Sequence, residues 1–571
     1  MARRVCIFLL VMGCLALPGL ATAARQVPVD YSLAPVADVN GNLTALSVTV
    51  RFRASASGVT PFELPNGYGG GSGEGWRSVR DLRIDGATSI DTPDPGHRSI
   101  HAEPGARLTA AYTIVPVFDH DPLIDEVRLY RPIIRPTWFH VIGSAVFARP
   151  YSDVDETTTP ARFDWTGPAG LAFASDLETI DGRGHRGTRR GTLRDVRTSV
   201  VIGGHDLQIA RAGAVRFAAL GGFAFHPQQA ADLAERILSA ERAFWGDPSA
   251  PFLVTMTSLV APSALSKTVQ GTGRSAGFST QVTPNATLDD LAVLFAHENF
   301  HTWNPGQLGG QGPQGSLGLW FSEGFTDFYA RRLLLRSGVS SPQRFADQWN
   351  DMLVAYAASP ARTTPNAQAA EQFWKDPLAQ RLPYQRGAML AAIWDARLRA
   401  RSGGKRGLDD LMRAQRAAVA RSPGVPAYRL FPKVAASFGL DVSSDLARYL
   451  DEGQAIDLPA DTFGRCVRLV SREQPVYDRG WDQAATSAAG GVISGLREDS
   501  PAWRAGVRNG MLVLTRSFEH PNDATADFMI RARSADGTEH DFRFKPEGKD
   551  RLTVQRMELT DTTGDCANLR D

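Results

Sequence analysis

The sequence predicts a multidomain α+β chain: a β-rich N-terminal third, a mainly helical middle and a small C-terminal β unit. Three observations carry this. At 571 residues the chain is too long for one core, and two to four domains are expected. The apolar period lengthens from two residues to helical spacing near residue 226, and alternation returns near 463. The composition, 43% hydrophobic and 22% charged, is that of an ordinary globular protein.

Residues 1–23 have the form of a secretory signal. Arg3 and Arg4 precede a largely apolar run over residues 5–17 that is too short to span a bilayer. Ala21-Thr22-Ala23 is an A-x-A cleavage site, so the mature chain is expected to begin near Ala24 and to be exported, periplasmic or secreted. Cys14 after Val11-Met12-Gly13 leaves lipid anchoring as an alternative. No later run of 18 apolar residues occurs, so no transmembrane segment is expected.

Residues 24–218 are expected to form a β-sandwich. Short alternating runs at 46–53, 108–115 and 198–202 are separated by turn residues. The glycine-rich stretch 69–75 is a hairpin tip or a loop near a site. It is no phosphate loop, because no Gly-Lys-Ser/Thr follows.

Residues 219–460 form the next predicted domain. Ala230, Leu233, Ala234, Ile237 and Leu238 have helical spacing within 228–245, and Gly246 ends that helix. A strand is expected over 252–260, then a Gly/Ser/Thr-rich passage over 264–283. Thr287-Leu-Asp-Asp290 has the form of a capping box and opens a helix from 288 to about 303, which Pro305 stops. Further helices are expected at 318–336, 342–357, 384–401, 407–421 and 442–452.

Residues 463–562 complete the chain as a β unit. Within it, residues 490–510 suggest strand, turn, helix, turn, with Pro501 in the first helical turn and Gly506 at the C-cap. Two of the four cysteines lie in the signal. Cys466 and Cys566 remain, most simply one disulfide in an exported protein, with two separate thiols as the alternative.

The chemistry centres on His297-Glu298-Asn-Phe-His301. On a helix, positions i and i+4 share a face, so both imidazoles can hold one zinc ion, and the glutamate can take a proton from a water the metal activates. A third protein ligand is needed. Glu323 on the next predicted helix is the candidate, and Asp327, one turn on, could accept an N–H from a ligand histidine and fix its tautomer. Two solvated acids on a surface helix is the alternative reading. Tyr384 could project into the cleft as a hydrogen-bond donor to an oxyanion, though a tyrosine at a helix start commonly just packs.

The blocks His297-Glu298-x-x-His301-Thr-Trp-Asn304, Trp320-Phe-Ser-Glu323-Gly-Phe-Thr-Asp327 and Tyr384-Gln-Arg-Gly387-Ala resemble the glycyl aminopeptidase family of zinc metallopeptidases, gluzincins alongside thermolysin and the aminopeptidase N family. The resemblance implies a thermolysin-like catalytic domain behind the β-sandwich and a C-terminal PDZ-like domain. It implies His297, His301 and Glu323 as ligands of one zinc, Glu298 as general base, Asp327 as the carboxylate behind a ligand histidine, and Tyr384 as transition-state donor. Peptides or proteins are then the substrates, and a peptide ligand of the PDZ-like unit is a candidate partner.

Three departures stand out. Family members commonly carry an acid upstream of the zinc helix for a substrate α-amine, whereas here Gly271, Gly273 and Arg274 stand in an acid-free stretch. An arginine there could hold a carboxylate instead. The loop 306–315 is glycine-rich and lacks the basic, proline-ending run common in the family. Asn509-Gly510 replaces a usual Gly-Asp. Endopeptidase action or another terminal specificity therefore remains the first alternative, a hydrolase of non-peptide substrates another, and a non-catalytic exported PDZ-bearing binding protein the alternative of another class. The formal charge of +1 and the lack of a basic cluster argue against a nucleic-acid partner.

Overall fold

A computed structural model describes residues 27–560 except 67–73, 127–130, 169, 178–188, 262–265, 275, 519 and 521. The expected signal, Cys14, most of the 69–75 loop and Cys566 lie outside the described residues, and with Cys566 the disulfide expectation.

The N-terminal unit is β-rich, as its alternating runs predict. Its strands form not two sheets but three, of six, four and four strands. All three feed one apolar core, with Tyr31, Val48 and Phe163 from the largest sheet, Phe62 and Ile100 from the second, and Phe139, Phe173 and Val201 from the third. Alternation explains this: in Arg107–Ile114 every second residue is buried.

The second unit begins earlier than the expected boundary at 218/219. Strands Gln208–Ala212 and Val215–Leu220 belong to a five-stranded sheet with Phe252–Ser258, Gly277–Val282 and Val269–Gly273. The two central pairings are parallel, which needs a crossover, and the helix Pro227–Trp245 supplies the first. A parallel interior strand is buried on both faces and reads as an apolar run, so Val215–Leu220 does not look like the start of a helical domain. The last strand, Val269–Gly273, pairs among the described residues only with Gly277–Val282 and so forms an edge of the sheet.

Helices cover the rest of this unit. Both halves of the expected capping box are made: Thr287 accepts from the Asp290 amide and Asp290 accepts from the Thr287 amide. The helix runs Leu288–Phe300, three residues shorter than expected. Leu319–Arg336 and Pro342–Ala358 follow close to their predicted bounds. The helix expected from 384 starts seven residues earlier and spans Pro377–Ser402, with Asp376 as cap and Pro383 inside it. Tyr384 therefore lies in its second turn, not at its start. Burial of Leu382, Pro383 and the following face against the Glu323 helix outweighs the local preference of proline for a helix end.

An antiparallel ribbon, Val467–Tyr477 with Glu547–Leu559, leads to the C-terminal unit. The ribbon packs on helix Pro342–Ala358, where the Asn350 amide donates to the Met557 carbonyl at 3.0 Å and accepts from the Met557 N–H at 2.7 Å. Beyond it, a three-stranded sheet and a small core around Trp481, Ile493, Val507, Phe528 and Phe544 form the unit. Pro501–Arg504 is the expected short helix, capped by Ser500 and ended before Gly506, whose φ of +103° suits glycine. A second short helix, Gln483–Ala488, joins it. Among the described residues no helix is long and apolar enough to cross a membrane.

Candidate active site

A cleft of about 2430 Å³ lies between the edge strand and the helices of the second unit, with loops of the N-terminal unit on its wall. His297, Glu298, His301, Glu323, Asp327, Tyr384, Gly271, Gly273 and Arg274, every site residue expected on this unit, line it.

His297 Nε2 lies 3.1 Å from His301 Nε2 and 3.2 Å from Glu323 Oε2, and His301 Nε2 lies 3.4 Å from the same oxygen. A tetrahedral zinc ion with bonds of about 2.0–2.1 Å has ligand atoms about 3.3 Å apart, so the triangle has the dimensions of one face of that tetrahedron. The hydrogen-bond partners complete the test. His297 Nδ1 meets Asp327 Oδ1 at 3.0 Å and His301 Nδ1 meets the Asn304 carbonyl at 2.8 Å. Each imidazole donates from Nδ1 and turns the lone pair of Nε2 to the common point. Two such lone pairs and a carboxylate at van der Waals distance repel unless a proton or a metal ion lies between them. The donor set fits one zinc.

The framework behind these side chains is built from backbone contacts. The Asn304 amide donates to the carbonyls of Phe321 and Ser322 and to Thr326 Oγ1, each at 3.1 Å, and ties the end of the His297 helix to the start of the Glu323 helix. Trp303 Nε1 donates to Asp247, and the Trp303 ring stacks on Trp245 with centroids 6.0 Å apart. The Glu323 and Tyr384 helices cross at Gly324 and Gly387, where a Cβ on Gly387 would come within 1.8 Å of the Trp320 carbonyl oxygen. This close approach brings the Tyr384 ring onto His297, stacked at 5.7 Å and 22°.

Electrostatics divide the roles. Burial pushes the Glu298 carboxyl above its ordinary range, against the pull of both histidines. Burial and the carboxylates of Glu323, Asp327 and Glu298 raise the Tyr384 phenol well above its ordinary value, so it keeps its proton. Burial opposes charge on His297, yet Asp327 and Glu323 outweigh it and raise the imidazole to about 10. Glu323 is held low despite burial by both histidines.

Gly271 lies directly against the general-base candidate: a Cβ there would come within 2.8 Å of Glu298 Cγ. Gly273 lies beside His301. Arg274 reaches back to its own strand, with Nε 3.3 Å from the Thr272 carbonyl and a further bond to the Thr272 hydroxyl. Gln270 Nε2 donates to the Ile124 carbonyl at 3.3 Å, so the N-terminal unit, with Asp125 and Glu126, joins this wall of the cleft. Two further participants were given no role by the sequence motifs. One is Asn304 in its double use of side chain and carbonyl. The other is Arg331, whose only signal was its i+4 spacing from Asp327.

Comparison with known proteins agrees with this geometry. Residues 290–386, which hold all three candidate ligands, Glu298, Asp327 and Tyr384, match the family model of the M61 glycyl aminopeptidases. An aminopeptidase N family protein from Idiomarina loihiensis shares the fold, with a TM-score of 0.67 at 14% identity over 95% of this chain and 99% of that one. An M1 zinc metallopeptidase from Deinococcus radiodurans aligns at a TM-score of 0.49 and 18% identity over 76% of this chain and 96% of that one. No curated protein matches in sequence. The matched segment and the donor set together make this chain a zinc peptidase.

Proposed function

We propose that this protein is an aminopeptidase-like zinc peptidase, that Glu298 is its general base and that Tyr384 is its oxyanion donor. One observation carries the reading. The three donors converge with tetrahedral spacing while a buried carboxylate and a protonated phenol flank the same point. His297, His301 and Glu323 would hold one zinc ion, which would supply Lewis acidity to a water and to the peptide carbonyl. Glu298 takes the proton of the attacking water and delivers it to the departing amine. A carboxyl with a raised pKa suits both halves of that transfer. Tyr384 donates to the oxygen that gains charge, and its burial makes this donor stronger than it would be in water. Asp327 and the Asn304 carbonyl keep both imidazoles oriented.

The outer edge of strand Val269–Gly273 lies along the cleft and offers backbone groups to an extended peptide, which binds by adding a strand. The strand itself carries no acid. Asp125 and Glu126 of the N-terminal unit are the acids that this wall offers to a substrate α-amine. Endopeptidase action is the second reading, favoured by Arg274 just past the end of the strand, whose charge repels a substrate α-amine. Matched peptides with free and acetylated N-termini, assayed with and without a chelator, decide between them. Chelator-sensitive cleavage of the free peptides alone supports the aminopeptidase reading. Equal cleavage of both sets overturns it in favour of the endopeptidase. Chelator-insensitive cleavage overturns the zinc mechanism.

The proposal extends to export of the mature chain and to a PDZ-like character of residues 463–562. The latter is supported by the Ser500-Pro501 helix start and the glycine-ended helix. Binding of full-length protein to an array of peptides with free C-termini tests it.

A further inference from the structure

Glu323, Asp327 and Arg331 form a row at i, i+4 and i+8 on one helix, Leu319–Arg336. The first supplies a donor to the metal point. The second spends one carboxylate oxygen, Oδ1, on His297 Nδ1 at 3.0 Å. Its other oxygen, Oδ2, pairs with Arg331 Nη1 at 2.8 Å, and the same nitrogen donates to the Asp327 carbonyl at 2.9 Å. The pair is enclosed, with the Arg331 side chain 12% exposed and that of Asp327 15%.

We infer that Arg331 is a positioning residue for the metal site, acting on His297 through Asp327; the inference rests on the zinc-peptidase reading. A buried carboxylate with one oxygen unpaired is costly. Without the guanidinium, Asp327 gains by turning Oδ2 toward another donor, and Oδ1 then leaves the line of the His297 N–H. The imidazole loses the bond that fixes its tautomer and aim. Two bonds from one nitrogen, one to the side chain and one to the backbone of Asp327, restrain the carboxylate's rotation as a single salt bridge would not. Arg331 also lines the cleft, so a direct contact with substrate is the rival role that the test must separate.

The test is a double-mutant cycle of R331Q and D327N. It reads the zinc dissociation constant of metal-stripped protein by chelator competition, with kcat and KM for a peptide and the thermal midpoint. Loss of such an outer partner typically costs about tenfold or more in metal affinity. R331Q is therefore expected to weaken zinc about tenfold and to lower kcat with KM unchanged, and R331K to recover part of both. In the D327N background R331Q is expected to add nothing. A folded R331Q with wild-type zinc affinity overturns the inference. So does a raised KM with unchanged affinity, or additivity of the two substitutions. If R331Q does not fold, R331M, which keeps the aliphatic stem, replaces it in the cycle. A wild-type protein that binds no zinc overturns the peptidase reading itself, a result distinct from these.

Discussion

Zinc and a proton compete for His297 Nε2. Asp327 and Glu323 raise this imidazole to about 10, so across the neutral range a cation entering the triangle must displace a proton. Burial opposes charge on His301 too, yet Glu323 raises it, so apparent zinc affinity rises with pH across the neutral range and falls as pH drops, by about tenfold per unit for each proton released. Chelator competition between pH 6 and 8 checks it, and a flat profile refutes it. Glu298→Gln keeps the shape and removes the proposed base, so zinc should remain bound at one per chain while turnover falls by about two orders of magnitude or more. A third residue-scale expectation concerns Gly271. An alanine there meets Glu298 at 2.8 Å, and Gly271→Ala should lower kcat with little change in zinc content. His297, Glu298 and His301 could be singled out in the sequence because their spacing is local, and Glu323 because the chemistry demands a third donor on a neighbouring helix. Arg331 was not, since its partner is one oxygen of Asp327, and an i+4 acid–base pair is common on any helix surface.

At the scale of elements, the helix crossing at Gly324 and Gly387 decides whether the site exists. Gly387→Ala drives a methyl into the Trp320 carbonyl, and the helices must part. Overpacking of this kind costs about 1–3 kcal/mol or more, and separation lifts Tyr384 from His297. Both a lower denaturation midpoint and a lower kcat are expected, and an alanine variant normal in both would refute the role of this contact. Tyr384 gained its weight from the family pattern, because nothing in its own neighbourhood announces that a helix fifty-odd residues away will touch its own. A second contact links elements of different units. His140, on Trp138–Ile142, is buried against Thr255, Thr257 and Ser279 of the peptidase sheet. Burial, with Arg274 adding to it, pushes its pKa down to about 3. The unfolded chain binds this proton from about 6.5 downward and the folded chain does not. Stability from this group is thus present above about 6.5 and declines as pH falls toward 3, by about 1.4 kcal/mol per unit. His140→Gln should flatten the loss of stability between pH 6 and 4 in urea titrations. An unchanged slope would place the acid sensitivity elsewhere.

Across the whole molecule, the cleft is a joint product. The N-terminal unit meets the edge strand at Ile124. From the other side, the segment after strand Leu512–Arg516 reaches the peptidase unit, where His520 pairs with Asp351 at 3.3 Å and Lys267 lies over the Phe518 ring at 5.1 Å. The order of β-rich, helical and β-rich regions was legible because the periodicity changes with it. The true seam at Gln208 was not, because strands buried on both faces show no alternation. Nor was the third N-terminal sheet, since alternation reveals a buried face but not which sheet it belongs to. The ribbon has a further consequence. Its strands pair in register from Val467 with Leu559 to Pro475 with Arg551, and after a register shift Tyr477 faces Glu547 where they part. Everything between these two residues is topologically a hairpin loop, inserted into the peptidase unit rather than appended to it. Such an insertion is removable: replacing residues 478–546 by a two-residue Asn-Gly turn should leave a soluble protein that still binds one zinc. A variant that aggregates or arrives without metal would show that the peptidase unit cannot stand without its insert. If it does stand, the ribbon is a socket into which other small domains with adjacent termini can be grafted.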